Sequence, residues 1–304
     1  MPSKERAGPC LAISHGMSSE ELQRALSALN RARFAPALPT DDPREALATE
    51  YALRLREVAF LEEERAAIAA QAATAPDDAE GFVGWFEALR ETGPGQHDPL
   101  FPWIAEHATL EQLRWFLRQE AGGEAGFEDL VALAQLKLPE RPKLELARNY
   151  WDEMGRGAPK GMHGPMLARL ERELRLDAGE PIVWESLALG NVMAGLAANR
   201  RYAYHAIGAL GVVELTAPGR SALVNAGLRR CGVAPHARQY YALHATLDVK
   251  HSAAWNAEVI APLVAGDRAL ARPLAEGALM RLAAGARCFA RYRAQLLTAV
   301  AHAA

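Results

Sequence analysis

The sequence predicts an all-α fold, a multi-helix bundle with an N-terminal helical extension. Three observations carry this. Half of the 304 residues are apolar, led by Ala and Leu with few β-branched runs, a composition that favours helix because such side chains lose little rotamer freedom there. Apolar positions recur at helical spacing in segment after segment, and no stretch alternates with the period of a strand. Helix-start residues stand at the head of those segments.

In chain order, residues 1–18 read as a flexible leader, and Ser18-Ser19-Glu20-Glu21 starts a short amphipathic helix through Leu22, Leu26 and Leu29. The proline-rich stretch 36–43 is a loop whose Asp41-Asp42 pair supplies an N-cap for a long helix over about 44–72. Asp77-Asp78 opens a helix carrying Phe82, Trp85, Phe86 and Leu89, and the Gly/Pro content of 92–102 reads as loop throughout. Thr109 opens the next helix, whose pattern continues to Leu136 with Gly122-Gly123 marking a bend or close packing. Helices follow over 143–154 and 160–174, with a Gly/Pro break between them. Pro181 opens another through Leu196. Residues 201–215 and 218–231 read as two helices broken at Thr216-Ala-Pro-Gly219. A helix over 236–264 and a last one from Asp267 to the C-terminus complete the chain. The expected organisation is a leader and short helix over 1–43 and a helical domain over 44–304.

The formal charge of −3 and pI near 6.3 give no electrostatic reason to expect nucleic acid or an anionic membrane. Cys10, Cys231 and Cys288 share no metal-type spacing and fit a reducing compartment. The first residues lack an apolar signal region, and no uninterrupted apolar run approaches the ~18 residues of a membrane span. The expectation is a cytoplasmic protein.

The segment from Tyr241 to Trp255 places His244, Asp248 and His251 at i, i+4 and i+7, within about 60° of one another on a helix. Two imidazoles and a carboxylate on a largely apolar helix are costly to bury unless something binds them. Three other places put ligand-type residues on apolar helices: Glu120 with Glu124 one turn on, Glu153 with His163 across the Gly/Pro break, and Glu214 at the end of a run too apolar to be a surface. Each has a structural reading. Glu120 and Glu124 alone read more simply as solvated acids beside Arg118, Glu153 can pair with Arg148 or Arg156, and buried His–Asp pairs often only hydrogen-bond. Four such places on four core helices together point instead to a metal site built from facing helices. Carboxylate and imidazole ligands without Cys suit iron or manganese better than structural zinc. His244 and His251 stand about 10 Å apart along the helix axis, so they belong naturally to different ions.

Asp152-Glu153-Met-Gly-Arg-Gly followed by His163, then Glu214, then His244-x3-Asp248-x2-His251 resembles the haem-oxygenase-like diiron oxidases, often described as iron-containing redox enzymes. The resemblance covers about 110–255, the expected metal-site core. It implies a haem-oxygenase-like fold and two Fe(II) per chain with O2 as co-substrate. The metal ligands it implies are Glu120, Glu153, His163, Glu214, His244, Asp248 and His251, with Glu124 as the alternative to Glu120. It implies oxidation of a small organic molecule, amino-acid-like or fatty-acid-like, with room for an external electron donor, and a homodimer. Two other readings stay open: a metal-free enzyme of the same fold, thiaminase-like or quinone-cofactor-synthase-like, and a helical metal-binding or storage protein. Neither Glu153 nor Glu214 is followed by His three residues on, unlike the Glu-x-x-His pairs of ferritin-like bundles. Arg200-Arg201 could hold a substrate carboxylate but read more simply as a helix end. Tyr240 and Tyr241 read as packing or as pocket lining.

Overall fold

The computed structural model describes residues 17–38, 42–176 and 181–297. The N-terminal leader, the middle of the proline-rich loop, Cys10 and the end of the last helix lie outside the described residues. The fold is all-α, and among the described residues the only β-type pairing is an isolated bridge between Met154 and Met162.

Side-chain caps set four of the helix starts. In α1 (Ser19–Phe34) Ser18 and Glu21 form a capping box. Asp42 caps α2 (Pro43–Ala67), with Pro43 in the first turn, where a missing N–H costs nothing. The long helix expected to Ala72 is interrupted at Ile68, which leaves the helical region before the short α3 (Ala69–Ala72). Asp78 caps α4 (Ala79–Thr92). The stretch read as loop to Pro102 instead enters α5 (Leu100–Glu106). Asp98 Oδ1 accepts from the Leu100 N–H, and Pro102 sits in the first turn, where it breaks no bond. Thr109 and Gln112 form a second capping box at α6 (Leu110–Gly122). That helix does not continue to Leu136. It stops where Gly122 and Gly123 press against Ile182 and the Ser186 carbonyl, and a separate α7 (Phe127–Ala134) follows Gly126, whose φ is +76°.

Helix α8 (Glu140–Glu153) and α9 (His163–Leu174) are joined by two tight 3-10 turns. Then come α10 (Trp184–Ala198) and α11 (Ala203–Arg230). The break expected at Thr216–Gly219 is absent: α11 runs straight through Pro218. Packing against neighbours on several sides outweighs the local preference, and Thr216 Oγ1 donates to the Val212 carbonyl. After α12 (Gln239–Trp255) one turn widens to π geometry over Asn256–Ile260 before α13 (Ala261–Gly266) and α14 (Ala271–Leu296).

Helix α11 is the centre of the bundle, packed by α12, α14 and α5. The stretch Arg200–Arg230, which contains it, is long enough for a membrane span and holds an 18-residue window of matching hydropathy, which the run-length reading did not single out, yet 61% of that window is buried inside the bundle. At the α11–α14 crossing, Gly208 lies against the Leu274 backbone and Gly277 against the His205 carbonyl, each too close for a Cβ. Helix α1 docks on α10 through a buried amide cluster, in which Asn30 Nδ2 donates to Asn191 Oδ1 at 2.8 Å and Asn191 Nδ2 donates to Gln23 Oε1 at 2.9 Å.

Candidate metal centre

Three connections bring ligand-type side chains to one place. Glu153 is the last residue of α8 and His163 the first of α9, and the two 3-10 turns fold the second back beside the first. His163 Nδ1 lies 2.5 Å from Glu153 Oε2. Glu214 enters from the middle of α11. His244, Asp248 and His251 share one face of α12. Glu153, His163, Glu214, Asp248 and His251 are all buried, none more than 7% exposed.

The donor atoms fall into two triads, each with all atoms within 4.8 Å of one another: Glu153, His163 and His244, and Glu153, Glu214 and His251. Glu153 belongs to both. His251 Nδ1 is 3.5 Å from Glu214 Oε1 and 3.9 Å from Glu153 Oε1. His244 is in one triad and His251 in the other, and the ring centroids of His163 and His244 are 4.6 Å apart.

Surrounding groups fix which nitrogen faces the site. Tyr240 O lies 2.7 Å from His244 Nδ1. A proton donated there leaves the Nε2 lone pair free. Asp152 Oδ2 lies 3.3 Å from His251 Nε2, a carboxylate–histidine arrangement that turns Nδ1 toward Glu153 and Glu214. Asn149 Nδ2 donates to Glu214 Oε1 at 2.6 Å. The sequence alone gives neither Asn149 nor Asp152 these roles, since their service depends on where α11 and α12 pass.

The electrostatics are those of a site short of positive charge. Burial, then the nearby Glu214, pushes the Glu153 carboxyl up to about 9. Burial and the same two glutamates push Asp248 well up. Burial, then the neighbouring imidazole, pulls His163 and His244 down to about 4. Burial acts downward on His251, but Glu214, Asp152 and Glu153 outweigh it and bring it up to about 9.

Three buried ligand-type atoms, His163 Nδ1, His251 Nδ1 and Asp248 Oδ1, have no hydrogen-bond partner among the described residues. The 2.5 Å approach of His163 to Glu153 is therefore close without the alignment of a hydrogen bond. Orphaned donors of this kind cost free energy unless an ion takes them. An all-nitrogen and oxygen set fits iron or manganese.

The remaining acids are distributed differently from the sequence expectation. Glu120 lines the same cavity but stands outside both triads, hydrogen-bonded to Tyr292 and facing Arg281 and Arg220. Glu124, the alternative, accepts from the N–H groups of Gly126 and Phe127 at 3.1 Å each and acts electrostatically on Glu153. Glu128, which sequence reading missed, also lines the cavity, sits against Gly164 beside His163, and acts on Glu153. Its place in the first turn of α7 is that of an ordinary helix-start acid, so the sequence held no signal for it.

A cavity of about 190 Å³ opens beside the triads, walled by Phe101, Phe127, Leu167, Val224, Tyr240 and Tyr241. Arg200 and Arg201 are not there. Arg200 donates to the Leu133 and Leu136 carbonyls at the end of α7, and Arg201 is exposed 3.9 Å from Glu62. Tyr202 and His205 belong to a separate network with Glu62 and Glu276. Cys231 and Cys288 are free thiols.

Fold and site together define a helical-bundle protein with a carboxylate–histidine cluster able to hold a metal ion. A family model described as iron-containing redox enzyme, a haem-oxygenase-like family, matches residues 114–286, more than half of the chain. The chain belongs to that family of iron-containing redox enzymes. No curated protein matches it in sequence comparison.

Proposed function

We propose that the chain is a nonhaem diiron oxidase or oxygenase that uses O2 to oxidise a small organic substrate. The observation that carries this reading is the pair of donor triads sharing Glu153, buried throughout except at the half-buried His244. One shared carboxylate between two three-donor groups is what two ions at bridging distance require. Two ferrous irons, when bound, supply the electrons and Lewis acidity for O2 activation.

The chain's own residues do the rest. Glu153 can offer one oxygen to each triad, while Asp152 and the Tyr240 carbonyl hold His251 and His244 in register. Asn149 ties down one oxygen of Glu214 and leaves the other free to change its contact as charge at the site changes. Glu153, Glu214 and Asp248 balance three positive charges, and Glu124 and Glu128 are the further carboxylates at this end of the cavity. Aromatic walls exclude water from the reacting volume. The cavity also separates this reading from a protein that only stores metal, because storage needs no room for an organic molecule.

Anaerobic reconstitution with Fe(II), metal quantification and an absorption trace on adding O2 test the reading. Uptake of about two irons per chain with an O2-dependent absorption change is expected. No iron uptake would overturn the metal centre, and iron uptake with an unchanged spectrum would leave a metal-holding protein instead of an oxidase.

A further inference from the structure

The outward wall of the site carries charge of one sign. The chain has a formal net charge of −3, yet every exposed charged residue over 141–162 is basic: Arg141, Lys143, Arg148, Arg156 and Lys160. The acids of this stretch are turned in beneath them. Glu145 pairs with Arg148, Arg156 Nε donates to Asp152 Oδ1 at 2.6 Å, and Glu153 belongs to the triads. The acids at the rim are the exposed Glu140 and the half-buried Glu258, which lies 2.6 Å from Arg141 Nε.

Within this basic surface α8 shows an apolar stripe. Leu144, Ala147 and Trp151 stand at i, i+3 and i+7, with Arg148 among them. Leu144 is 59% and Trp151 53% exposed, and no other tryptophan among the described residues is exposed. Gly157 packs against the indole so closely that a Cβ would come 2.9 Å from Trp151 Cη2. The 3-10 turns thereby fold the segment that carries Arg156 and Lys160 beside Trp151. Directly behind lies the donor cluster. Asp152 follows Trp151 in the chain, and its Oδ2 is 3.3 Å from His251 Nε2, so one residue links the exposed face to a donor of the second triad.

A face of this kind selects its partner. Basic side chains steer an acidic protein to it while the net negative remainder of the surface repels that protein. An exposed tryptophan at the centre is the residue type that anchors interfaces. We propose that the outer face of α8 around Trp151 is the docking surface for a small acidic one-electron carrier protein, which reduces the metal centre by way of Asp152 and His251. The electron balance calls for such a partner. In an oxygenation, substrate, O2, two electrons and two protons give the hydroxylated product and one water. The substrate supplies two of the four electrons that reduce O2, and the carrier supplies the other two in successive encounters, itself oxidised by one electron each time. The proposal rests on the reading of the site as an O2-activating diiron centre and names its electron source.

The probes are a plant-type [2Fe–2S] ferredoxin and a flavodoxin, both acidic carriers, with the basic cytochrome c as counter-probe. The first arm titrates each into the full-length metal-free protein by calorimetry, at low and at high ionic strength. An acidic carrier should bind more tightly than cytochrome c and lose affinity as salt rises. Trp151→Ala and Lys160→Glu should each weaken it about tenfold or more. Arg44→Glu, an equal change of charge on α2, which packs on α1, α10 and α14, should bind as wild type. The second arm follows, by stopped-flow absorption, reduction of the iron-loaded, air-oxidised protein. Both α8-face variants should be reduced about tenfold more slowly by the carrier and at nearly the wild-type rate by dithionite. The first arm reads docking even if no iron binds, so the two readings fail separately. No binding of either acidic carrier, tighter binding of cytochrome c, or Trp151→Ala and Lys160→Glu variants that bind as wild type would each overturn the proposal. So would variants that the carrier reduces as fast as wild type, or a dimer that Trp151→Ala dissociates, since a second copy would then cover the face.

Discussion

Glu153 is the residue on which both donor triads depend. Glu153→Gln keeps the shape and removes the charge, so metal content is expected to fall from about two ions per chain to near none, read by elemental analysis after anaerobic loading. His251→Ala strips a donor from one triad only, and about one ion per chain should remain. Equal losses in the two variants would mean that the triads do not act as separate positions. Asp152→Asn is a milder change, since it alters only the group behind His251. A loss of metal affinity of about 10–100-fold is expected by competition with a chromophoric chelator. Much of this was legible before any fold was known, because His244, Asp248 and His251 repeat at helical spacing and Glu153, His163 and Glu214 interrupt apolar patterns. Glu128, Arg220 and Arg281 were not legible. Each reads as an ordinary charged helix residue, and only the convergence of α6, α7, α11 and α14 brings them to one cavity.

At the scale of elements, the α11–α14 crossing depends on two glycines that meet the partner helix's backbone. Gly277→Ala should cost about 1–3 kcal/mol or more through overpacking, seen as a drop of several degrees in Tm. Gly84 is the control: it lies within α4 with open space where a Cβ would go. Gly84→Ala should therefore stabilise by about 0.5–1 kcal/mol, and a destabilised Gly84 variant would refute the distinction. Four helix starts were well marked in the sequence, since Ser18, Asp42, Asp78 and Thr109 all cap as expected. Two of the misreadings share one cause. Pro102 and Pro218 were read as loop or break, yet one sits in a first turn and the other in a helix clamped by its neighbours. Proline reports a local preference, and long-range packing decides whether the preference is obeyed.

For the whole molecule, the metal-free site couples stability to pH. Glu153 and His251 are raised to about 9 and Asp248 is raised as well, so between pH 7 and 9 the folded protein holds protons that the unfolded chain has released. Stability from these groups is fully present below their unfolded values and is lost as pH rises through about 9. His163 and His244, lowered to about 4, act the other way, but their contribution is complete once pH exceeds about 6.5. The metal-free protein should therefore lose Tm from pH 7 to 9. Metal displaces the same protons, so Mn(II)-loaded protein should show a flatter profile and tighter apparent metal binding as pH rises. Calorimetric scans of both forms across that range check the sign, and a rising Tm in the metal-free form would contradict it.

The central position of α11 also bears on how such a protein can diversify. One helix carries Glu214, the cavity-lining Arg220 and the packing contacts with α5, α12 and α14, so a substitution on it disturbs the fold and the cavity together. Ala121, Phe127, Leu167, Tyr240 and Tyr241 wall the same space from helices that pack against fewer neighbours than α11. Directed evolution toward new substrates should accumulate its accepted changes at those five positions and leave the inner face of α11 almost untouched, because inherited variation collects where a mutation answers to a single constraint.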